Sequence, residues 1–387
     1  MAREREAAAP PPRPRRSLFD AYLMVDWSAA SGPTGRVPRH DAVWVAEARW
    51  GGRALRFEAE RYFPTRRACV EHLAARLEAH LSRGRTVLAG FDFPFGFPAG
   101  LARALGLRAP GWRAIWRLLR SPASHLPGAP ENRYAAADNR NNRFAVAAAV
   151  NRAAQGGERG RAGPFFGCPR REETAWLGQA RPTFPVAAAR GARLSCWRST
   201  DEALRRAGLS PLSPWWVLGG GAPTVGGQAL VGIPAVAELA ERLDGRARIW
   251  PLETGFAPPP SGAARAVLAE IWPGLVNDRL EQGLVRDAAQ VRAMARWAAG
   301  ADADGTLRRL LAAPPGLGGA DLAACLSEEG WTLGAGPGPR PGTGRGGSAT
   351  RGRRGSGRAA SRPRRRRPAR PPPPPARPRP PARSRGG

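Results

Sequence analysis

The segments AYLMVD (Ala21–Asp26) and TVLAGFD (Thr86–Asp92) decide the fold. Each is a short apolar run that ends in an aspartate and then breaks, the first into Trp27 and the small residues SAASG, the second into FPFG. Apolar runs of this length bounded by turn residues read as strands buried on both faces. Two such strands that both stop at an acid predict a sheet whose carboxyl edge carries Asp26 and Asp92.

The residues between them set the connection. Ala42–Trp50 and Ala54–Tyr62 flank Gly51, Gly52 and Arg53. In the second segment Leu55, Phe57 and Ala59 alternate with Arg56, Glu58 and Glu60, the period of a strand with one wet face. Three strands on short connections predict an antiparallel meander. Thr65–Ser82 then places Val70, Leu73, Ala74, Leu77 and Leu81 at helical spacing, with Thr65 as N-cap and Gly84 as stop. A helix crossover after a meander lays the fourth strand parallel to the first, which brings Asp26 and Asp92 together. Aspartates after strands also make turns or cap helices, so the repeated grammar matters more than either acid alone.

Outward from this core the pattern weakens and then recovers. Leu101–Pro214 reads as a helical and irregular insertion, with short helices at ALGL and WRAIWRLLR and a longer one within Tyr134–Arg152. Here Arg133, Arg140, Arg143 and Arg152 mix with Tyr134, Phe144, Phe165 and Phe166, which suits a phosphate backbone with stacked bases or simply solvated helix faces. Trp215–Leu243 predicts a short strand, a loop with Gly219, Gly220 and Gly221, and a helix from about Val225. The loop could hold a phosphate or serve a tight turn, and it matches neither GxxxxGK[ST] nor GxGxxG. Glu253 follows a short apolar stretch in RIWPLETG, and Glu270 sits in a strand-like run from Ala266 to Trp272. In VRDAAQVRAMARWAAG, Asp287 shares a helical face with Val291 and Met294, where an acid either serves a site or offsets the charge of the helix N-terminus. Helices at Thr306–Ala313 and Asp321–Glu329 close the folded region.

Charge is unevenly spread over the 387 residues. The net charge is +30, and all 61 basic residues are arginine. Residues 336–387 hold 16 Arg, 13 Pro and 11 Gly without an acid or an aromatic, a composition that predicts a disordered tail. Such a tail is either a basic arm for nucleic acid or the by-product of GC-rich codons. Residues 1–16 predict a second disordered segment. Residues 17–335, read as one domain containing the insertion, keep a net charge of +11. No apolar run of about 18 residues occurs, and the proline-rich start does not suit a signal peptide, so a cytoplasmic chain off the membrane is expected. Four scattered cysteines form neither a disulfide framework nor a zinc pattern.

The succession VDWSAA, GFDFPFG, GGQALVGIP, EIWPGL and RDAAQVRAMA resembles an uncharacterised bacterial family whose members are predicted to be RNase H-like nucleases. The resemblance runs from about Leu18 to Leu333. It implies an α/β core of RNase H type, a five-stranded mixed sheet flanked by helices, with acids on strand one, strand four and a late helix. Carried onto this chain, it implies catalytic roles for Asp26, Asp92, Glu270 and Asp287, with Glu253 in reserve. Asp26, Asp92 and Asp287 would be the metal ligands. Converging acids repel unless protons or cations neutralise them, and hard oxygen ligands suit Mg2+ or Mn2+. The expected activity is metal-dependent hydrolysis of a phosphodiester, with nucleic acid as partner. The same strand order also occurs in sugar-kinase and actin-like ATP-binding phosphotransferases, and a non-catalytic nucleic-acid-binding adaptor on this core is a third reading.

Overall fold

The apolar run ending at Asp26 forms β1 (Ala21–Asp26), buried along its whole length. In the computed structural model, residues 17–336 are described, except 109–110, 159, 161, 210–214, 220–224 and 258–264. The expectations for residues 1–16, for the tail beyond 336 and for Gly220 and Gly221 lie outside the described residues.

β1 pairs antiparallel with β2 (Val43–Gly51), which in turn pairs with β3 (Ala54–Phe57). The single strand expected over Ala54–Tyr62 is broken. After Phe57 the chain leaves the sheet at Glu58–Glu60 and returns as β4 (Arg61–Phe63), which pairs with the other end of β2. The sequence alternation runs on to Glu60, whereas the sheltered positions change parity across the break, from Leu55 and Phe57 before it to Tyr62 after it. Helix α1 (Arg66–Leu81) starts where expected, the Thr65 hydroxyl accepting from the Ala68 N–H at 3.2 Å. It delivers β5 (Val87–Phe91) parallel to β1.

The 101–214 segment supplies α2 (Leu101–Ala104), α3 (Gly111–Arg120), α4 (Arg143–Ala154), the small hairpin β6 (Val186–Ala187) and β7 (Arg193–Leu194), and α5 (Ser199–Arg206). The strand expected near Trp215 amounts to one bridge between Phe166 and Val217. Then come α6 (Gly226–Arg242), β8 (Ala247–Trp250), β9 (Ala266–Glu270), α7 (Arg286–Ala303), α8 (Thr306–Leu310) and α9 (Gly319–Ala324). The main sheet is mixed, runs β3-β2-β1-β5-β9-β8 with β4 also on β2, and has seven strands where five were expected. No helix among the described residues is long and apolar enough to cross a membrane.

Strand alternation sorts the apolar residues into two cores. Leu23, Val25, Val45, Val87, Ala89 and Leu268 pack on α1 and α6 through Leu73, Leu77, Leu230 and Ile233. Tyr22, Met24, Leu88, Val267 and Ala269 pack on α7 through Val291, Met294 and Trp297. Gly90 faces this second core, and a Cβ there would lie 2.6 Å from Met24 Sδ and 2.7 Å from Ile271 Cγ2. Asp302 of α7 ties the start of the domain down, accepting from the Leu18 and Phe19 N–H groups and the Tyr22 hydroxyl at 2.7, 2.9 and 2.6 Å.

Gly90→Val overfills the space against Met24 of β1 and Ile271. It is expected to cost about 1–3 kcal/mol, read as a lower Tm in thermal unfolding.

Candidate active site

The register of β1 on β5 builds the site. Val25 is paired with Phe91, so the next residues, Asp26 and Asp92, stand side by side at the carboxyl edge. Two-residue periodicity turns both side chains to the α7 side, with Tyr22, Met24 and Leu88. Asp287, in the first turn of α7, is half-buried over the same edge. All three aspartates line one cleft of about 520 Å³, together with Asp41, Arg143, Gln228 and Gln290.

Their environments differ. Asp92 Oδ1 accepts from the Trp27 N–H at 2.6 Å, and Asp287 Oδ2 accepts from the Asp41 N–H at 2.8 Å. The Asp26 carboxylate has neither a hydrogen bond nor an ion-pair partner among the described residues. Burial, reinforced by the charges of Asp92, Asp287 and Asp41, holds its pKa well above the ordinary carboxylate range. Burial also pushes Asp92 up to about 8, against the lowering effect of its Trp27 hydrogen bond. Asp287 is raised by burial too, with the Asp41 N–H opposing. The cleft therefore stores unneutralised acid, which a proton or a cation would relieve.

A buried arginine shapes the floor. Arg66 opens α1 fully buried and reaches no carboxylate among the described residues. Instead it donates to the carbonyls of Ser28, Ala30, Tyr134 and Asn139 at 3.1, 2.8, 2.6 and 2.7 Å. These bonds hold the SAAS loop after Asp26 against the 134–139 loop. Gln228 of α6 donates to the Trp27 carbonyl, fixing the same loop from the other side.

Glu270 departs from its expected place. It pairs with Phe91, one position before Asp92, so alternation sends its side chain through the opposite face of the sheet. There the Arg198 guanidinium grips it at 2.8 and 2.7 Å, and Thr332 Oγ1 and the Phe95 N–H donate at 2.6 and 3.0 Å. Arg198 is also bonded to Asp201, and all three charged side chains are buried. Glu270 is thus a fully engaged structural anion that ties β9 to α5 and to the chain near Thr332. Glu253 is elsewhere as well, accepting from the Ile249 N–H at 2.8 Å and from Arg113 outside the cleft.

As they stand, no three His, Cys, Asp or Glu among the described residues form a ready-made metal cage. The three aspartates share the cleft, but two are tethered to backbone N–H groups and none is drawn onto a common point. Sequence reasoning missed Asp41 and Arg66. Asp41 lies in an irregular loop, and Arg66 looks like any charged residue in the first turn of an amphipathic helix.

Two outcomes follow from these placements. Glu270→Gln leaves Arg198 under-neutralised inside the protein and is expected to destabilise by on the order of 3 kcal/mol, measured by denaturant unfolding. For Asp26 and Asp92 the folded state binds protons more tightly than the unfolded chain, whose aspartates titrate near 3.9. With chelator present, the Asp92 contribution is full below about pH 4 and is lost as pH rises through about 8, and that of Asp26 is lost in the same direction as pH rises through its raised pKa. Tm should fall over that window, and Asp26→Asn or Asp92→Asn should flatten the fall and raise Tm at neutral pH. Comparison of the chain with family models, with curated proteins and with solved structures finds no match.

Proposed function

We propose that the protein is a divalent-metal-dependent phosphodiesterase acting on nucleic acid, with a core of RNase H type. One observation carries the reading: Asp26 and Asp92 end adjacent parallel strands, and the Asp26 carboxylate, buried between other acids, has no partner. A buried carboxyl without a partner is costly to ionise, and a cation bound beside it would remove that cost.

The donor set fits Mg2+ or Mn2+. Mg2+ is held by one or two carboxylates, with water and substrate phosphate filling its remaining positions, so a cage of three protein ligands is not required. Asp26 and Asp92 would hold the ion and Asp287 would serve at the mouth of the cleft. When bound, such an ion polarises a phosphate oxygen and makes a coordinated water more acidic. Asp92, whose ionisation lies near neutrality, can take up or release a proton in the working range. The Arg66 and Gln228 bonds keep the 27–30 loop, and with it Asp26, in fixed geometry. Arg143 and Arg286, on the cleft wall, and the +11 charge of residues 17–335 attract a phosphate backbone.

Purified protein with Mg2+ or Mn2+ should cleave labelled single-stranded DNA or RNA. Asp26→Asn and Asp92→Asn should each lower the rate by at least about 100-fold while keeping the fold. Undiminished cleavage by both variants would remove the assignment. ATP-dependent phosphate transfer would point to the kinase reading, and binding without turnover to an adaptor.

A further inference from the structure

Arg143 makes no ion pair among the described residues, and Glu172 acts on its charge only from a distance. Several arginines of the domain are paired: Arg76 with Glu47, Arg67 with Glu238, Arg242 with Glu71 and Arg246 with Glu78. Arg143, half-buried in the wall of a cleft lined by four aspartates, bonds only neutral oxygens. Its Nη1 donates to the Ala29 carbonyl and to Asn141 Oδ1, both at 2.9 Å. Its buried Nε has no acceptor.

A helix start faces the same cleft. α6, 17 residues long, begins there with Gly227 and Gln228 in the lining, and no side chain among the described residues caps its N-terminus. Its dipole favours an anion at that end. A Cβ at Gly227 would lie 3.0 Å from Arg143 Cδ and Nε and 3.3 Å from Ala29 Cβ, so glycine lets the helix backbone approach the guanidinium closely.

A guanidinium and a helix start in the lining of one cavity are complementary to a phosphate group. We propose that Arg143 and the N-terminus of α6 form an anion subsite that seats a phosphate of the substrate beside the aspartates. This rests on reading the cleft as a phosphodiesterase site and narrows its substrate. A cavity of about 520 Å³ is the size of small-ligand sites. It takes a nucleotide, or the end of a single strand threaded in by its phosphate, rather than a duplex lying across the surface.

The probe is inorganic phosphate, titrated calorimetrically into the full-length protein in the presence of chelator. Wild type should bind it, Arg143→Gln should bind at least about tenfold more weakly, and Arg143→Lys should lie between. Asp26→Asn should retain binding, since it removes a repelling acid. Should Arg143→Gln fold poorly, wild type treated with an arginine-specific dicarbonyl and mapped by peptide mass should show Arg143 shielded by phosphate. Binding by Arg143→Gln equal to wild type, or equal modification of Arg143 with and without phosphate, overturns the subsite. Phosphate binding through Arg143 in a protein that cleaves nothing overturns the phosphodiesterase reading alone. Cleavage by a protein whose Arg143→Gln variant binds phosphate undiminished overturns the subsite alone.

Discussion

The parallel pairing of β1 with β5 is the constraint on which the rest of the structure depends. Because Val25 meets Phe91, the two chains leave the sheet at the same level, and their terminal aspartates become neighbours. A shift of one residue would send one of the two carboxylates to the opposite face. Burial on both sides locks the register, since each strand places alternate residues in two separate cores. The acids are close because hydrophobic packing leaves them no other place.

Buried charge is used in two different ways in this domain. In one, the ions are matched. Glu270 with Arg198 and Asp201 links β9 to α5, and Glu47 of β2 accepts from Arg76 and His80 of α1 at 2.7 and 3.0 Å. Burial alone would raise the Glu47 pKa, but these two donors hold it down to about 2. In the other, the ions are left unmatched. Among the described residues the Asp26 carboxylate has no hydrogen-bond partner and Arg143 no ion pair, and both line the same cleft. Matched pairs hold elements together, whereas unmatched charges of opposite sign, kept apart, are prepared for a ligand that carries both a cation and an anion.

Arg66 connects these roles. It spends a buried guanidinium on four backbone carbonyls and so shapes the loops around Asp26 without neutralising the acid. Pairing with a carboxylate would have satisfied the charge locally, but the guanidinium would then not have donated to four carbonyls on two loops at once.

The sequence by itself determined the elements whose physics is local. The two Asp-ended strands, the Thr65-capped helix, the meander and the helix from Gly226 follow from apolar period, capping and turn residues, and they place Asp26 beside Asp92 through the handed crossover. It also put Asp287 on the apolar face of its helix. Only tertiary structure decided which face of the sheet each acid joins. Glu270 and Asp92 both belong to the carboxyl-edge region and look alike in sequence, yet a one-residue offset in pairing sends Glu270 through the other face and into the Arg198 ion pair. The break at Glu58–Glu60, the loop position of Asp41 and the unpaired state of Arg143 were likewise decided by contacts between segments far apart in the chain. Periodicity reports the environment along one element, whereas partnership between charges depends on residues that periodicity never compares.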